Sequence, residues 1–180
     1  TSDSRFEVLD FGGSLGSTYF HNHDLLRDFD LRWTVVEQKA FVDAGIRHLE
    51  TAALKFREEI PVADGGPNPN VVLLSSVIQY LEKPSETLEK LLNLRPEILI
   101  VDRTPFSEEK EDSLMVQVVG KPYYEGSYPM WVLSRAKFIA SIPRTYELVA
   151  AFPGPEGSVF RAGKEIRFEG YIYRRVSSEV

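Results

Sequence analysis

Ten residues near the start of the chain, Val8-Leu9-Asp10-Phe11-Gly12-Gly13-Ser14-Leu15-Gly16-Ser17, limit its possible folds more than any other stretch. A short apolar run ends in an acid. A glycine-rich turn follows, and a helix-forming segment begins directly after it. Strand, tight turn and helix in this order build a ligand site at the carboxyl end of the first strand of a Rossmann-like sheet. Glycine lets the backbone turn sharply and lets a ligand approach it closely. The spacing narrows the ligand. A G-x-G-x-x-G register from Gly12 needs glycine where Ser14 and Ser17 stand, and one from Gly13 needs it at Leu15 and Thr18. A phosphate loop needs Lys directly after Gly16, where Ser17 stands. What remains is acid-x-Gly-x-small-x-Gly: Asp10, Gly12, Ser14 and Gly16.

The rest of the chain extends the same architecture. Strands are predicted over residues 5–10, 32–37, 54–57, 70–75 and 97–101. Helices are predicted over 18–29, 39–49 and 84–94. The second helix carries Phe41, Val42, Ile46 and Leu49 at helical spacing, and the third carries Leu88, Leu91 and Leu92. Residues 64–69 read as a loop. Alternating strands and helices imply an α/β, doubly wound, mostly parallel sheet. After Val101 the rhythm breaks. Residues 102–131, with Pro105, Pro122 and Pro129, read as a long insert holding a short strand at 114–119. A helix over 134–142 follows. Strands at 146–152 and 165–174, joined by Pro153-Gly154-Pro155-Glu156-Gly157, form a closing antiparallel hairpin. The length of 180 residues fits one domain over 1–180.

Composition excludes several function classes. The net charge of −6 disfavours nucleic acid as the partner, since phosphate binding needs a basic face. There is no cysteine, so neither a disulfide framework nor a thiolate metal site is available. No apolar run approaches a membrane span and no signal-like start is visible, so a cytoplasmic protein without a membrane partner is expected.

Several residues could carry chemistry. Glu37 ends the second strand, with Gln38 beside it. An acid about 20 residues beyond the glycine turn of a Rossmann site accepts hydrogen bonds from ribose hydroxyls. Arg103, after the fifth strand, could anchor an anionic or hydroxylated substrate, or pair with Asp102. Tyr123, Tyr124, Tyr128, Met130 and Trp131 could line an acceptor pocket, or pack the insert onto the domain. His21 is a candidate base, though a lone histidine is more often a surface residue. His21 and His23, two apart on a helix, face different ways and form no metal pair. Asp102 alone is no metal site, and no metal is expected.

The pattern Asp10, Gly12, Ser14, Gly16 resembles motif I of the class I S-adenosylmethionine-dependent methyltransferases. Five segments in order resemble a group of small bacterial methyltransferase-like proteins, some found beside surface-polysaccharide genes. The segments are residues 9–18, 33–38, 74–81, 102–107 and 127–134. The resemblance implies a seven-stranded Rossmann-like sheet of order 3-2-1-4-5-7-6, with S-adenosyl-L-methionine as cofactor. It implies that Asp10 orders the glycine loop and reaches the methionine amino group, that Gly12, Gly13, Ser14 and Gly16 cradle the cofactor, and that Glu37 and Gln38 meet the adenosine. It also implies that Ser75 and Ser76 leave room at the strand end. Members of this family usually carry helical material before the first strand, so a trimmed or processed start is expected here. A cytosine-C5 enzyme needs a cysteine nucleophile, and an amino-methylating DNA enzyme an Asn/Asp/Ser-Pro-Pro-aromatic run. This chain has neither. The expectation is therefore methyl transfer to an oxygen of a sugar or small metabolite, with His21, Arg103 and Tyr124 as candidate catalytic residues. The rivals are a catalytically silent binding or assembly module and a NAD-dependent oxidoreductase, which the glycine spacing disfavours.

Overall fold

Adjacent residues of the central strands point to opposite faces, and both faces are buried. In β1 (Arg5–Phe11), Val8 joins one apolar cluster and Leu9 the other. Val35 and Val36 divide the same way in β2 (Asp30–Val36), and Leu73 and Leu74 in β4 (Val71–Ser75). A strand buried on both sides reads as a continuous apolar run and belongs in the middle of a sheet covered by helices. On one face, Tyr19 of α1 (Ser17–Asn22) and Val42 of α2 (Lys39–His48) cover Val8, Trp33, Val35 and Leu73. On the other, Leu88 and Leu91 of α3 (Pro84–Asn93) and Phe138 of α4 (Arg135–Ser141) cover Leu9, Val72, Leu74 and Val101. The computed structural model describes residues 5–61, 68–121 and 125–176. Tyr123, Tyr124 and most of the loop expected over 64–69 lie outside them. Among the described residues no helix is long and apolar enough to cross a membrane.

The sheet runs β3 (Leu54–Arg57), β2, β1, β4, β5 (Ile98–Ser107), β9 (Lys164–Arg175), β8 (Tyr146–Arg161). The first five strands are parallel; β9 is antiparallel to β5 and β8 to β9. The expected seven-strand order is thus present, with the last two strands of the chain in the last two places. Two further strands, β6 (Ser113–Val119) and β7 (Gly126–Ser134), form an antiparallel hairpin. Residues 102–131 are therefore mostly strand rather than loop. They hold the distal half of β5, all of β6 and the start of β7.

Pro105 is tolerated in β5 because of where it falls. Along one edge of β5, pairing with β4 ends at Ser75–Asp102 and pairing with β7 begins at Phe106–Leu133. Pro105 sits in the gap, where no ladder donor is required. The other edge is taken by β9 as far as Phe106. The hairpin thus stands directly beyond the carboxyl end of β4.

Two boundaries differ from expectation. α1 stops at Asn22, not Phe29, and turns follow. Asn22 Nδ2 donates to Thr18 O at 2.8 Å, a local bond that competes with helix propagation. The closing hairpin turns at Ala162-Gly163 (φ 51° and 76°), not at 153–157. Two central residues with positive φ match the twist of the flanking strands. The Pro/Gly segment is instead a bulge inside β8, between Pro153 and Ser158.

Candidate functional site

The strand order reverses beside β1: β2 and β3 lie to one side, β4 and β5 to the other. A crevice opens at such a point, outside the carboxyl ends of the strands. Here it is a cleft of about 370 Å³ lined by Phe11, Gly12, Val36, Glu37, Gln38, Glu58, Ser76, Val77, Tyr80 and Leu81. Its size falls within the usual range for small-molecule sites.

Backbone geometry makes the floor. Gly12 has φ +75° and its N–H donates to Val36 O at 2.9 Å, tying the turn to the end of β2. A Cβ at Gly12 would run into Val77, and one at Gly13 into the Asp10 carboxylate. Both glycines are therefore required by close packing. Gly16 (φ +81°) accepts from Phe20 N–H and starts α1.

Asp10 lies beneath this loop and is 1 % exposed. Trp33 Nε1 donates to its Oδ2 at 3.2 Å. Burial raises its pKa from 3.8 to about 6; the Trp33 bond opposes the rise, and the nearby Glu37 charge adds to it. Glu37 stands at the rim. One of its oxygens accepts from Ser14 N–H at 3.2 Å and the other from Gln38 N–H at 2.7 Å. A carboxylate offers about four lone-pair sites, so acceptor capacity toward the cleft remains.

The far wall is the end of β4. Ser76 (φ 54°) donates its N–H to Asp102 O at 2.9 Å, and Ser75 Oγ donates to Asp102 Oδ2 at 3.4 Å. A short 3-10 turn, Ile78–Tyr80, then carries Tyr80 to the cleft. Tyr80 Oη donates to Gln117 Oε1 of β6 at 2.9 Å and meets Tyr128 of β7 edge-on at 5.3 Å. Trp131 Nε1 donates to Leu81 O at 3.1 Å. The aromatic residues of the insert thus fasten the hairpin to the segment that lines the cleft, while Met130 packs inside with Val132 and Ile166.

Of the residues singled out in the sequence, Gly12, Glu37, Gln38 and Ser76 line the cleft. Asp10, Gly13 and Ser14 support it from the loop, Gly16 packs toward Leu54 and Phe56, and Ser75 turns to Asp102. His21 is exposed on α1 and does not line the cleft. Arg103 is exposed in a bulge of β5 and pairs with Glu156 rather than with Asp102, Nε donating at 2.7 Å. Among the described residues no group of three His, Asp or Glu is placed to hold a metal ion. Sequence reasoning missed the Trp33 bond to Asp10 and the places of Glu58 and Tyr80 in the cleft. A buried indole needs an acceptor, and that need was the available signal for the first.

Solved structures share this fold. The N-terminal domain of EvdMO1, crystallised with SAH bound, matches over 96% of this chain and 75% of that one, with 13% identity and a TM-score of 0.61. The same domain has been crystallised in the presence of SAH and D-fucose, with a TM-score of 0.62 over 96% of this chain and 76% of that one at 13% identity. The glycopeptide N-methyltransferase MtfA, complexed with (S)-adenosyl-L-methionine, matches over 96% and 82%, at 11% identity and a TM-score of 0.60. The [4+2]-cyclase SpnF matches over 98% and 77%, at 12% identity and a TM-score of 0.65. No protein-family model and no curated protein matches the chain. The fold is that of the class I S-adenosylmethionine-dependent methyltransferases. A cyclase has it too, so the fold alone does not dictate the reaction.

Proposed function

We propose that this chain binds S-adenosylmethionine in the cleft at the ends of β1, β2 and β4 and methylates an oxygen of a sugar or small metabolite. The observation that carries the reading is Glu37, a carboxylate at the end of β2, sharing one cleft with the close-packed Gly12 turn. An acid there accepts two ribose hydroxyls, and the glycine backbone admits the rest of the cofactor without a side chain in the way. Bound there, the cofactor supplies an electrophilic methyl carbon on a sulfonium sulfur.

The chain's own residues position and desolvate. Glu37 orients the ribose. Gln38 and Ser76 flank it, and Asp10 holds the loop through its contact with Gly13. Tyr80, with Gln117 and Tyr128 behind it, forms the wall toward the hairpin and is the natural acceptor side. Arg103, in the bulge of β5, is the polar group proposed to meet the acceptor beyond that wall. A hydroxyl acceptor also loses a proton. Of the cleft residues, Glu58 and Tyr80 are the titratable ones other than Glu37.

The test is calorimetric titration with S-adenosylhomocysteine and with NAD. The first binds and the second does not. Glu37→Ala removes a charged acceptor, a loss of about 1.5–3 kcal/mol, so affinity falls roughly 10- to 100-fold. A folded wild-type chain that fails to bind S-adenosylhomocysteine refutes the reading. Since none of the three histidines lines the cleft, the silent-module reading keeps one foothold. Binding with no turnover on a panel of sugar hydroxyls would favour it.

A further inference from the structure

One polar side chain near the cleft is fully enclosed. Gln79, in the 3-10 turn after β4, is 0 % exposed. Its Nε2 lies 3.3 Å from Ser76 Oγ and 3.3 Å from the main-chain oxygen of Arg103. Its Oε1 is buried and has no hydrogen-bond partner among the described residues. The sense of the amide is fixed by its surroundings: turned over, Oε1 would face Arg103 O, acceptor against acceptor.

The two residues that Gln79 joins are themselves strained. Ser76 has φ 54° and Arg103 has φ 53°. Left-handed backbone costs a residue with a side chain roughly 1–2 kcal/mol, and such strain persists where the surroundings over-determine it. Ser76 ends β4 and lines the cleft. Arg103 sits in the β5 bulge with its guanidinium on Glu156. Packing alone does not account for the amide. Methionine would fill the same space, but it would take away the donor that the main-chain oxygen of Arg103 has here. The two donor hydrogens of the amide therefore do what an apolar side chain of the same size cannot.

We propose that Gln79 is a positioning residue of the methyltransferase site. Its amide fixes the strained end of β4, on the cofactor side, against the strained bulge of β5, on the acceptor side. The two halves of the site are then set in one relation before either ligand arrives. This inference rests on the methyl-transfer reading above for its catalytic meaning, but not for its structural content.

The experiment uses the full chain carrying Gln79→Met, with Ser76→Ala as a second variant that removes one of the two tethers and leaves Gln79 intact. Thermal melting, native-state hydrogen exchange without ligand, and S-adenosylhomocysteine titration are measured on each. For Gln79→Met the melting temperature is expected to fall by a few degrees, with the chain still folded. Exchange at the Ser76 N–H, which bonds to Asp102 O, rises about tenfold or more, and affinity falls roughly 5- to 10-fold. Ser76→Ala gives a smaller change in the same direction. Wild-type exchange and wild-type affinity in Gln79→Met would overturn the inference and leave Gln79 a core filler. If wild type binds no S-adenosylhomocysteine, the methyltransferase reading falls, and the ligand-free exchange at Ser76 still decides whether Gln79 holds the two strand ends.

Discussion

Replacing Asp10 with Asn should make the protein's stability less dependent on pH. Asp10 is almost fully buried, and burial lifts its pKa from 3.8 to about 6. Between those values the folded protein keeps a proton that the unfolded chain has lost. Stability therefore falls as pH rises through this window, and this group contributes no further change above it. Each tenfold change in proton affinity is worth about 1.4 kcal/mol, so the ionised carboxylate costs the folded state about 3 kcal/mol near pH 8. Near pH 4.5 about 1 kcal/mol of that has already been lost, because the unfolded chain is mostly ionised there. Asn is isosteric and still offers Trp33 Nε1 an acceptor oxygen, so the 3.2 Å bond survives. Urea unfolding of both proteins at the two pH values measures the effect. The stability of Asp10→Asn relative to wild type should rise by about 2 kcal/mol from pH 4.5 to pH 8. An equal difference at both values would show that Asp10 titrates normally and that burial does not govern it.

Other consequences of the packing can be checked by the same unfolding assay. A methyl at Gly45 of α2 would stand 2.5 Å from the Phe56 ring. Gly45→Ala should therefore destabilise by about 1–2 kcal/mol, overpacking outweighing the gain in helix propensity; a more stable variant would contradict the close approach of α2 to β3. Ser134 caps α4 by accepting from Lys137 N–H at 3.4 Å. Ser134→Ala should cost about 1 kcal/mol, and an unchanged midpoint would show that the cap is idle.

The elements that the sequence made legible are those with local causes. β3 is where its apolar pattern put it, and α2 and α3 end within one residue of expectation. The glycine loop was legible because its strand, turn and helix are contiguous in the chain. The misjudged stretches depend on distant partners. Residues 102–131 carry prolines and read as loop, yet β9 and β7 supply ladder partners to their first part, and β6 and β7 pair with each other over the rest. Pro153 to Gly157 carried the strongest turn signal near the terminus. Pairing of β8 with β9 on both sides of it made it a bulge, and a weaker Ala-Gly pair made the turn. The surroundings of His21 and Arg103 were the least legible. His21 was chosen by its side-chain chemistry, and nothing local says which way a helix residue faces. Arg103 was expected to contact its neighbour Asp102 or a ligand, and its partner Glu156 lies 53 positions away.

The sequence by itself determined an α/β sheet with a glycine turn at the end of its first strand. Periodicity, apolar runs and backbone permissiveness are properties of adjacent residues. It also put Asp10, Gly12 and Glu37 at the ends of the first two strands of one strand-turn-helix-strand motif, because their spacing follows that path. Only the tertiary structure decided what encloses that motif. It set Trp33 on Asp10 and raised its pKa. It stood the β6–β7 hairpin beyond β4 and fastened it through Tyr80 and Trp131. It drew Gln79 between Ser76 and Arg103. Each of these depends on burial and on contacts between strands far apart in the chain, and those exist only once the sheet has formed.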